Sequence, residues 1–320
     1  MNIFAPINSL ADAEAMIPLG ADELYCGVIP GDWMGEYNDV KPPNRRANEK
    51  SQVGSFDELE RIARLCDERD VSLYITLNAH FYSDRQASML SDLVAELSTW
   101  DGITGYIIAD VHFMREVRDV TGDAEILVST GSTVFNGRTA SFLADIGADG
   151  IHLPRHLTVD EIGEIARTAP DSLDLYAFVL NRNCLNIDGN CTLLHNPPIE
   201  HEDAERVPCF QTFDRSPVGG GAEAEGVRMF EDPRRNKEEA CGICSLYRFD
   251  EVGLAGVKMV GRAFPLERKK SEVQLLDSAR EHLRTASSER EFTDAVERLA
   301  TDHGIDCSVD SCYYPTVMEQ

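Results

Sequence analysis

The sequence predicts an α/β protein built as a (β/α)8 barrel. Apolar segments of strand length alternate with segments of helical periodicity, the alternation yields eight strands, and nearly all of these strands are apolar on both faces. Such strands belong to a parallel sheet covered by helices on each side, and eight strand–helix units suggest a closed barrel. A doubly wound open sheet is the alternative, but no G-x-G-x-x-G follows a strand to support it.

The first half of the chain supplies the clearest strand and helix signals. NIFAPI is the first strand, and the helix SLADAEAMIPLG begins at a cap residue, Asn8 or Ser9. ELYCGV (23–28) is the second strand, and the polar loop after it is long enough to suggest a function. Ser55 then opens a capping-box pattern before the helical segment LERIARLCDERD.

The alternation continues to the end of the barrel. Strand and helix follow one another as SLYITLNA with DRQASMLSDLVAELSTW, GYIIAD with VHFMREVRDVTG, EILVST with NGRTASFLADIG, and GIHLPR with TVDEIGEIARTA. LDLYAFVL is strand seven, SLYRFDEVGLAG a helix and VKMVGR strand eight. No segment resembles a linker, so we expect one barrel domain over 1–320, with a cysteine-rich insertion at 181–245 and C-terminal helices and a tail at 266–320.

The composition limits the classes of function. The net charge is −26, and only six of the 30 basic residues are lysines. This acidic, arginine-rich balance is typical of proteins from halophilic organisms with a salt-filled cytoplasm, an ordinary acidic enzyme being the alternative. Salt weakens charge-driven nucleic-acid binding and no basic stripe is present, which argues against a nucleic-acid partner. The chain has no apolar run near 18 residues and no signal-peptide pattern at its start, so a cytoplasmic location without a membrane span is expected.

Five of the nine cysteines fall between residues 184 and 244: Cys184, Cys191, Cys209, Cys241 and Cys244. Disulfides need an oxidising compartment, whereas thiolates from an irregular loop suit a four-coordinate metal or an iron–sulfur centre. The spacing fits no common zinc ribbon or finger, and a chance grouping of buried thiols is the alternative. Cys307 and Cys312 in the tail could pair, bind metal or remain idle thiols.

The carboxyl ends of the predicted strands mark the candidate site, because the βα loops of a barrel gather there. The residues at these ends are Asn78, Asp110, Ser129 with Thr130, Arg155, Asn181 with Arg182, and Gly261 with Arg262. Three arginines around one mouth suit a carboxylate ligand, unless they pair with nearby acidic residues. Hydrolase motifs such as G-x-S-x-G and H-E-x-x-H are absent, and His156 suits a cap or a surface position better than a catalytic base.

Several segments together resemble the peptidase U32 family, the collagenase-like proteases. GADELYCG resembles the family's second strand, and ILVSTGSTVFNGRTASFLADIGADGIHLPRHLTVDEIGEI its middle section. YAFVLNRNCLNIDGNC aligns with the signature F-V-H-G-A-x-C-x-x-x-S-G-x-C, and AGVKMVGR with AGV…KIEGR. The resemblance covers residues 1 to 270 or so.

The resemblance implies more than a fold. Many members hold a [4Fe-4S] cluster and act in oxygen-independent hydroxylation of quinone precursors or RNA bases, with prephenate as the oxygen donor. Carried over by position, the cluster ligands are Cys184, Cys191, Cys209 and Cys244, with Cys241 as the alternative fourth. The expected substrate-binding residues are Arg155, Arg182, Lys258, Arg262, Asn78 and Thr130.

Two departures from the family pattern bear on the activity. The signature histidine is Leu180 here, which weakens the peptidase hypothesis, and the glutamate of KIEGR is Val260. The length resembles that of the short quinone-pathway members, which work as heterodimers of two related subunits. The leading hypothesis is therefore an enzyme, or one subunit of a pair, in oxygen-independent hydroxylation of a small molecule. A U32-type peptidase and a non-catalytic, cluster-carrying subunit are the alternatives.

Overall fold

The computed structural model describes residues 1–37, 42–46, 48–184, 186–191, 239–309 and 311–315. Within these residues eight parallel strands close into one barrel in sequence order, with β1 hydrogen-bonded to both β2 and β8. This confirms the predicted (β/α)8 class. The predicted insertion at 181–245 lies largely outside the described residues.

The strands are short and buried, as predicted. Their bounds are β1 Asn2–Pro6, β2 Glu23–Cys26, β3 Ser72–Leu77, β4 Gly105–Ile108, β5 Glu125–Val128, β6 Gly150–His152, β7 Asp174–Leu180 and β8 Gly256–Met259. The register places Phe4 opposite Glu23 on one side and Lys258 on the other. The pairing of β7 with β8 shifts between Phe178 and Leu180, next to the start of the cysteine-rich segment.

Helices connect the strands on the outside of the barrel. Their bounds are α1 Leu10–Met16, α2 Gly31–Tyr37, α3 Phe56–Arg69, α4 Asp84–Leu97, α5 Val111–Thr121, α6 Gly137–Asp145, α7 Val159–Thr168, α8 Leu246–Glu251, α9 Leu266–Thr285 and α10 Glu289–Asp302. None of them is long and apolar enough to cross a membrane.

Side-chain caps fix where the helices begin. Ser9 caps α1, since its hydroxyl accepts from the amide of Asp12. Ser55 caps α3 by accepting from the amide of Glu58. Glu58 does not complete the predicted capping box, because its carboxylate accepts from the amide of Leu10 at 2.9 Å. That contact ties α3 to the start of α1.

The long loop after β2 is more ordered than its polar composition indicates. It contains α2, whose Trp33 is buried. The Trp33 ring lies 5.0 Å from that of Tyr37 and 6.2 Å from that of Tyr82. Aromatic pairs at such distances stabilise a short helix beyond the area they bury.

The barrel has an aromatic interior separate from the shell between strands and helices. Phe4, Tyr25, Tyr74 and Tyr176 form this interior together with Ile107 and Leu127. The Phe4 ring lies 5.2–5.6 Å from the three tyrosine rings, so it occupies the centre of the layer. The interior is therefore a packed core, and any cavity must lie nearer the strand ends.

The C-terminal helices belong to the same body. Lys269 of α9 is buried and forms an ion pair with the buried Asp12 of α1. A buried pair is strongly destabilising when one partner is removed. The residues that follow β8 are thus fixed against the beginning of the chain.

Candidate functional site

One cavity opens at the carboxyl ends of the strands, where the sequence places the candidate site. Its volume is about 100 Å³. Among its described lining residues are five arginines, one lysine and a single carboxylate, Asp188. We call it the arginine cavity after Arg45, Arg46, Arg155, Arg182 and Arg262. All six predicted substrate-binding residues line it: Arg155, Arg182, Lys258, Arg262, Asn78 and Thr130.

Two of these arginines, Arg45 and Arg46, were missed by the sequence analysis. They lie in the loop between α2 and α3, and Arg45 has a left-handed backbone with φ 61°. Neighbouring Asn44 fixes the loop, since its amide donates to Oε1 of Gln52 at 2.6 Å and accepts from Nε2 of the same side chain at 3.1 Å. The unusual length of this loop was the one available signal.

Arg262 lies deepest among the arginines and is held by neutral groups. Its guanidinium donates to Oγ1 of Thr76 at 2.9 Å and to the carbonyl of Asn44 at 3.3 Å. A Cβ on Gly27, the residue after β2, would lie 2.0 Å from Nη1 of Arg262, so a larger residue there would displace the guanidinium. Burial lowers the pKa of Arg262, and no described carboxylate forms an ion pair with it.

Arg155 is committed to a partner within the protein. Its guanidinium grips Asp188 through two bonds, one of them 3.0 Å from Nε to Oδ2, and Nη1 donates to the carbonyl of Arg182 at 2.7 Å. The side chains of Arg155 and Asp188 are only 10% and 3% exposed. Burial lowers the pKa of Arg155, but Asp188 reverses the effect and raises it overall. The alternative of pairing with an acidic neighbour therefore applies to Arg155.

Arg182 follows β7 through a strained turn. Asn181 and Arg182 have φ values of 64° and 42°, which residues other than glycine rarely adopt. The guanidinium of Arg182 lies 5.5 Å from the centre of the Phe264 ring, and that of Arg268 lies 3.9 Å from it. The strained turn and this stacking hold Arg182 at the cavity wall.

Among the arginines of the cavity, Arg46 has the protonated form that burial and neighbouring charges disfavour most. Burial lowers its pKa well below the ordinary value, and the neighbouring charges of Arg262, Arg182, Arg45 and Arg155 lower it further. Its buried Nη1 has no hydrogen-bond partner. Since an arginine stays protonated at any biological pH, the lowered pKa measures uncompensated positive charge, which an anion would relieve.

Lys258 and His152 form the polar floor of the cavity. Nζ of Lys258 lies 2.9 Å from Nε2 of His152, 4.4 Å from the centre of the Phe4 ring and 4.0 Å from that of Tyr25. Burial and the charge of Arg262 lower the pKa of Lys258 well below its usual range, and burial and Lys258 do the same for His152. The amine can therefore accept a proton from, or attack, a ligand in the cavity.

The other polar residues near the carboxyl ends of the strands differ in the contacts they make. Asn78 donates to Oγ of Ser129 at 3.2 Å, and its buried Oδ1 has no partner. Asp110 is structural, because its carboxylate accepts from the amides of His112 and Tyr82 at 2.9 and 2.8 Å. His156 stacks edge-on against Phe135 at 5.2 Å. Of these, Asn78 is directed at the cavity with hydrogen-bonding capacity left over.

Of the predicted cluster ligands, the described cysteines Cys184, Cys191 and Cys244 do not form one group. Cys184 and Cys191 lie beside the cavity: the charge of Arg155 acts on the Cys184 thiol, and Arg45 hydrogen-bonds Cys191. Cys209 lies outside the described residues. Cys244 is hydrogen-bonded to Cys312. Within the described ranges no three His, Cys, Asp or Glu side chains form a ready metal site, so the set of ligands stays a prediction.

Comparison with known proteins identifies the family. The model of peptidase family U32 matches residues 8–314. The chain belongs to peptidase family U32. The solved structure of the U32 peptidase Mk0906 has the same fold, with a TM-score of 0.50 and 13% identity over 82% of this chain and 93% of that one.

Curated relatives of this U32 chain carry two kinds of name. A collagenase of Porphyromonas gingivalis is 26% identical over 67% of the chain and 49% of its own length. The tRNA hydroxylation protein P of Haemophilus influenzae is 23% identical over 60% of the chain and 38% of its own length. The tRNA hydroxylation protein P1 of Bacillus subtilis is 21% identical over 81% and 58%, respectively. The chain thus spans about half the length of the curated relatives it matches.

Proposed function

We propose that this chain binds a small carboxylate in the arginine cavity and takes part in oxygen-independent hydroxylation of a small molecule, such as a quinone precursor. Prephenate is the proposed oxygen donor. The observation that carries the proposal is the lining of the cavity, where five arginines face one carboxylate that is already paired. Relatives named for tRNA hydroxylation support the reaction class.

The electrostatics of the cavity favour an anion with more than one charged oxygen. Asp188 neutralises Arg155, and Asp188 is the single carboxylate among the described residues that line the cavity beside Arg45, Arg46 and Arg262. A planar guanidinium can bind a carboxylate through two parallel bonds. Because burying unpaired cations is costly, an anionic ligand stabilises the site that it enters.

The size of the cavity limits what it takes. Its volume of about 100 Å³ is below the roughly 300–1,000 Å³ of most ligand pockets. In its present form it accommodates a small carboxylate, or the carboxylate end of a larger molecule. A donor such as prephenate would place one carboxylate among the arginines, with the Lys258 amine beneath it and Asn78 at the side.

We assign the [4Fe-4S] cluster of the proposal to the segment that begins beside the cavity. The proposed ligands are Cys184, Cys191, Cys209 and Cys244, with Cys241 as the alternative fourth. Cys184 and Cys191 lie beside the cavity, and Cys244 is hydrogen-bonded to Cys312. A bound cluster would supply electron transfer or a Lewis-acidic iron. The contribution of this chain's own residues is to hold the anion and to move a proton at Lys258.

The names of the relatives also support two other functions. The similarity to tRNA hydroxylation proteins supports an RNA substrate. The net charge of −26 argues against RNA binding, because it repels a polyanion. The similarity to a collagenase supports peptide hydrolysis as the reaction. The peptidase hypothesis is weakened by Leu180, because this buried leucine stands where the family signature has a histidine. A paralogous partner subunit could complete the activity, in which case the isolated chain would bind the donor without turnover.

Anaerobic purification tests the cofactor. We expect brown protein with about four iron and four sulfide per chain, as a [4Fe-4S] cluster requires. Colourless protein without iron would remove the hydroxylase proposal. Peptide cleavage that persists in cluster-free Cys184→Ser protein would establish the peptidase instead.

Calorimetry tests the ligand. Prephenate should bind the anaerobic protein, and Arg46→Gln should weaken binding by roughly 1.5–3 kcal/mol, the range for hydrogen bonds to charged groups. Without ligand the variant should be at least as stable as the native chain, because one cation is removed from among four others. Arg64→Gln, on the exposed face of α3, is the matched control.

Two results would contradict the ligand assignment. One is the absence of prephenate binding with and without a paralogous U32 partner. The other is an affinity that Arg46→Gln leaves unchanged. Binding of a tRNA in place of prephenate, with the same sensitivity to Arg46→Gln, would support the RNA alternative.

A further inference from the structure

Lys258 of β8 carries a primary amine into the floor of the arginine cavity. The strand register sets Lys258 between Phe4 of β1 and Phe178 of β7. The side chain points into the barrel, since Nζ lies 4.4 Å from the centre of the Phe4 ring. Lys258 is only 5% exposed, yet it lines the cavity together with Arg262. The amine is therefore shielded from bulk water and open to a ligand in the cavity.

Lys258 differs from the other buried lysine that the structure describes. Lys269 is also buried, but its amine forms an ion pair with the carboxylate of Asp12. The polar contact of the Lys258 amine is with a neutral group instead, Nε2 of His152 at 2.9 Å. No described carboxylate forms an ion pair with Lys258. A buried amine without a counter-ion is costly to keep protonated, so its retention at this place calls for a chemical role.

The surroundings of the amine favour its neutral form. Burial lowers the pKa of Lys258 well below its usual range, and the charge of Arg262 lowers it further. A lysine that is desolvated beside another cation is activated as a nucleophile towards carbonyl compounds. One N–H of the neutral amine can donate to Nε2 of His152, which leaves the nitrogen lone pair free for a ligand.

The aromatic rings around the nitrogen suit a product that carries positive charge. Nζ lies 4.0 Å from the centre of the Tyr25 ring and 4.4 Å from that of Phe4, and a cation is attracted to ring faces at such distances. A protonated imine at the same nitrogen would be stabilised in this way. The rings also keep away the bulk water that would hydrolyse an imine.

The neighbouring arginine selects the kind of carbonyl compound. Arg262 follows Lys258 by four residues, and both line the cavity. In a 2-oxo acid the ketone carbon is bonded directly to the carboxylate carbon. A carboxylate gripped by Arg262 therefore brings the adjoining ketone to the amine. The cavity volume of about 100 Å³ suits a small 2-oxo acid, or the 2-oxo acid end of a larger molecule.

We propose that Lys258 condenses with the ketone of a 2-oxo acid to form an imine in the arginine cavity. The inference rests on the proposed function, because the cavity must first bind the carboxylate, and prephenate is itself a 2-oxo acid. The nitrogen lone pair forms a C–N bond as the carbonyl π electrons move to oxygen. Both hydrogens of the amine end on that oxygen, which leaves as water when the C=N bond forms.

His152 lies where these protons must move. Its Nε2 is in contact with the attacking nitrogen, so it can take a proton from nitrogen and return it to the departing oxygen. The condensation consumes no oxidant and no reductant. A protonated imine withdraws electrons more strongly than a ketone does, so the step both fixes the 2-oxo acid and activates the carbon next to the imine.

Reductive trapping tests the imine. Full-length anaerobic protein is incubated with pyruvate, the smallest 2-oxo acid with a ketone, and sodium cyanoborohydride. Intact mass should increase by one reductively attached pyruvate per chain, and peptide mapping should place it on Lys258. The chain has only six lysines, so the map assigns the site directly. Lactate, which has a hydroxyl in place of the ketone, should give no adduct, and prephenate should compete with pyruvate for labelling.

Matched variants locate the reaction. Lys258→Met keeps an apolar chain of similar length against the rings and should abolish labelling while circular dichroism shows the native fold. Lys270→Met is the control, since Lys270 is half-exposed on α9 and pairs with Glu267. It should be labelled as the native chain is. Labelling that persists in Lys258→Met, or that maps to Lys50 or Lys270, would overturn the proposal.

Calorimetry on the same preparations separates this inference from the proposed function. Binding of pyruvate or prephenate without any trapped adduct would overturn the imine and leave the carboxylate site in place. Absence of both binding and trapping would overturn the two together. Trapping at Lys258 that prephenate suppresses would support both.

Discussion

Glu23, the first residue of β2, carries a carboxylate into the barrel interior. Its Oε1 accepts from the side-chain amide of Asn2 at 2.7 Å and from the hydroxyl of Tyr176 at 3.0 Å, whereas Oε2 has no partner. Burial raises the pKa of Glu23 from 4.5 to about 7, against the lowering effect of those two hydrogen bonds. The folded protein therefore holds a proton that the unfolded chain releases.

This raised pKa predicts a pH-dependent stability. The contribution of Glu23 to the free energy of unfolding is fully present below pH 4.5 and is lost as the pH rises towards 7. Between these two pH values the folded state binds more protons than the unfolded state, so stability falls as the pH rises. The loss amounts to about 3 kcal/mol. Glu23→Gln should remove this dependence and make the chain more stable at pH 8, as measured by urea unfolding at several pH values.

The control for Glu23→Gln is Glu14→Gln, on the exposed side of α1. It should leave the pH profile of the native chain in place. An unchanged profile in Glu23→Gln would mean that another buried group governs stability between pH 5 and pH 7.

At the level of single residues, the sequence predicted which side chains line the cavity better than it predicted which groups those side chains contact. Asn78, Thr130, Arg155, Arg182 and Arg262 follow their strands as predicted, and all five line one cavity. The capture of Arg155 by Asp188 depends on how the segment after β7 folds back, which no local pattern encodes. The same is true of the contact between Cys244 and Cys312.

At the level of elements, the strands were predictable because burial on both faces leaves continuous apolar runs. Helix α2 was not, since GDWMGEY begins with glycine and has too few turns to show a period. Its stability comes from tertiary packing of Trp33 against Tyr82, 49 residues away in sequence. For the same reason the loop that follows gave no sign other than its length that Arg45 and Arg46 reach the cavity.

A buried ion pair, Arg155–Asp188, attaches the described start of the segment after β7 to the barrel. Asp188 lies in the 3-10 turn Asp188–Asn190, between Cys184 and Cys191. Its backbone carbonyl also lies 2.7 Å from Nε2 of His80. Because Arg155 comes from the loop after β6, the pair holds the two predicted ligands next to the cavity.

Breaking this pair should destabilise the element and the fold together. Asp188→Asn leaves a buried guanidinium without its carboxylate, and we expect a loss of about 3–5 kcal/mol in the free energy of unfolding. Urea denaturation is the measurement. Arg155→Gln combined with Asp188→Asn should cost less than the sum of the two single changes.

The control for this double-mutant cycle is the exposed pair Arg167–Glu164 on α7. Removal of this pair should change the free energy of unfolding little. Additive effects of Arg155→Gln and Asp188→Asn would show that the two side chains do not depend on each other. In that case the segment after β7 must be held by its other contacts.

At the scale of the whole molecule, the chain is strongly acidic while the described lining of one cavity is mainly cationic. The chain carries a net charge of −26, yet five arginines surround one cavity at the strand ends. A negatively charged exterior repels acidic macromolecules over a Debye length, while a small anion that reaches the cavity meets positive charge. This contrast between the net charge and the cavity lining is the physical basis for preferring a small carboxylate to a nucleic acid.

The same charge distribution predicts how stability depends on salt. Self-repulsion of the acidic surface acts over about 30 Å at 0.01 M salt but only about 3 Å at 1 M. The midpoint of thermal unfolding should therefore rise steeply from low salt to molar KCl. Prephenate affinity should fall over the same range, because salt also screens the arginines. A midpoint that is insensitive to KCl would contradict the predicted halophilic origin and favour the alternative of an ordinary acidic enzyme.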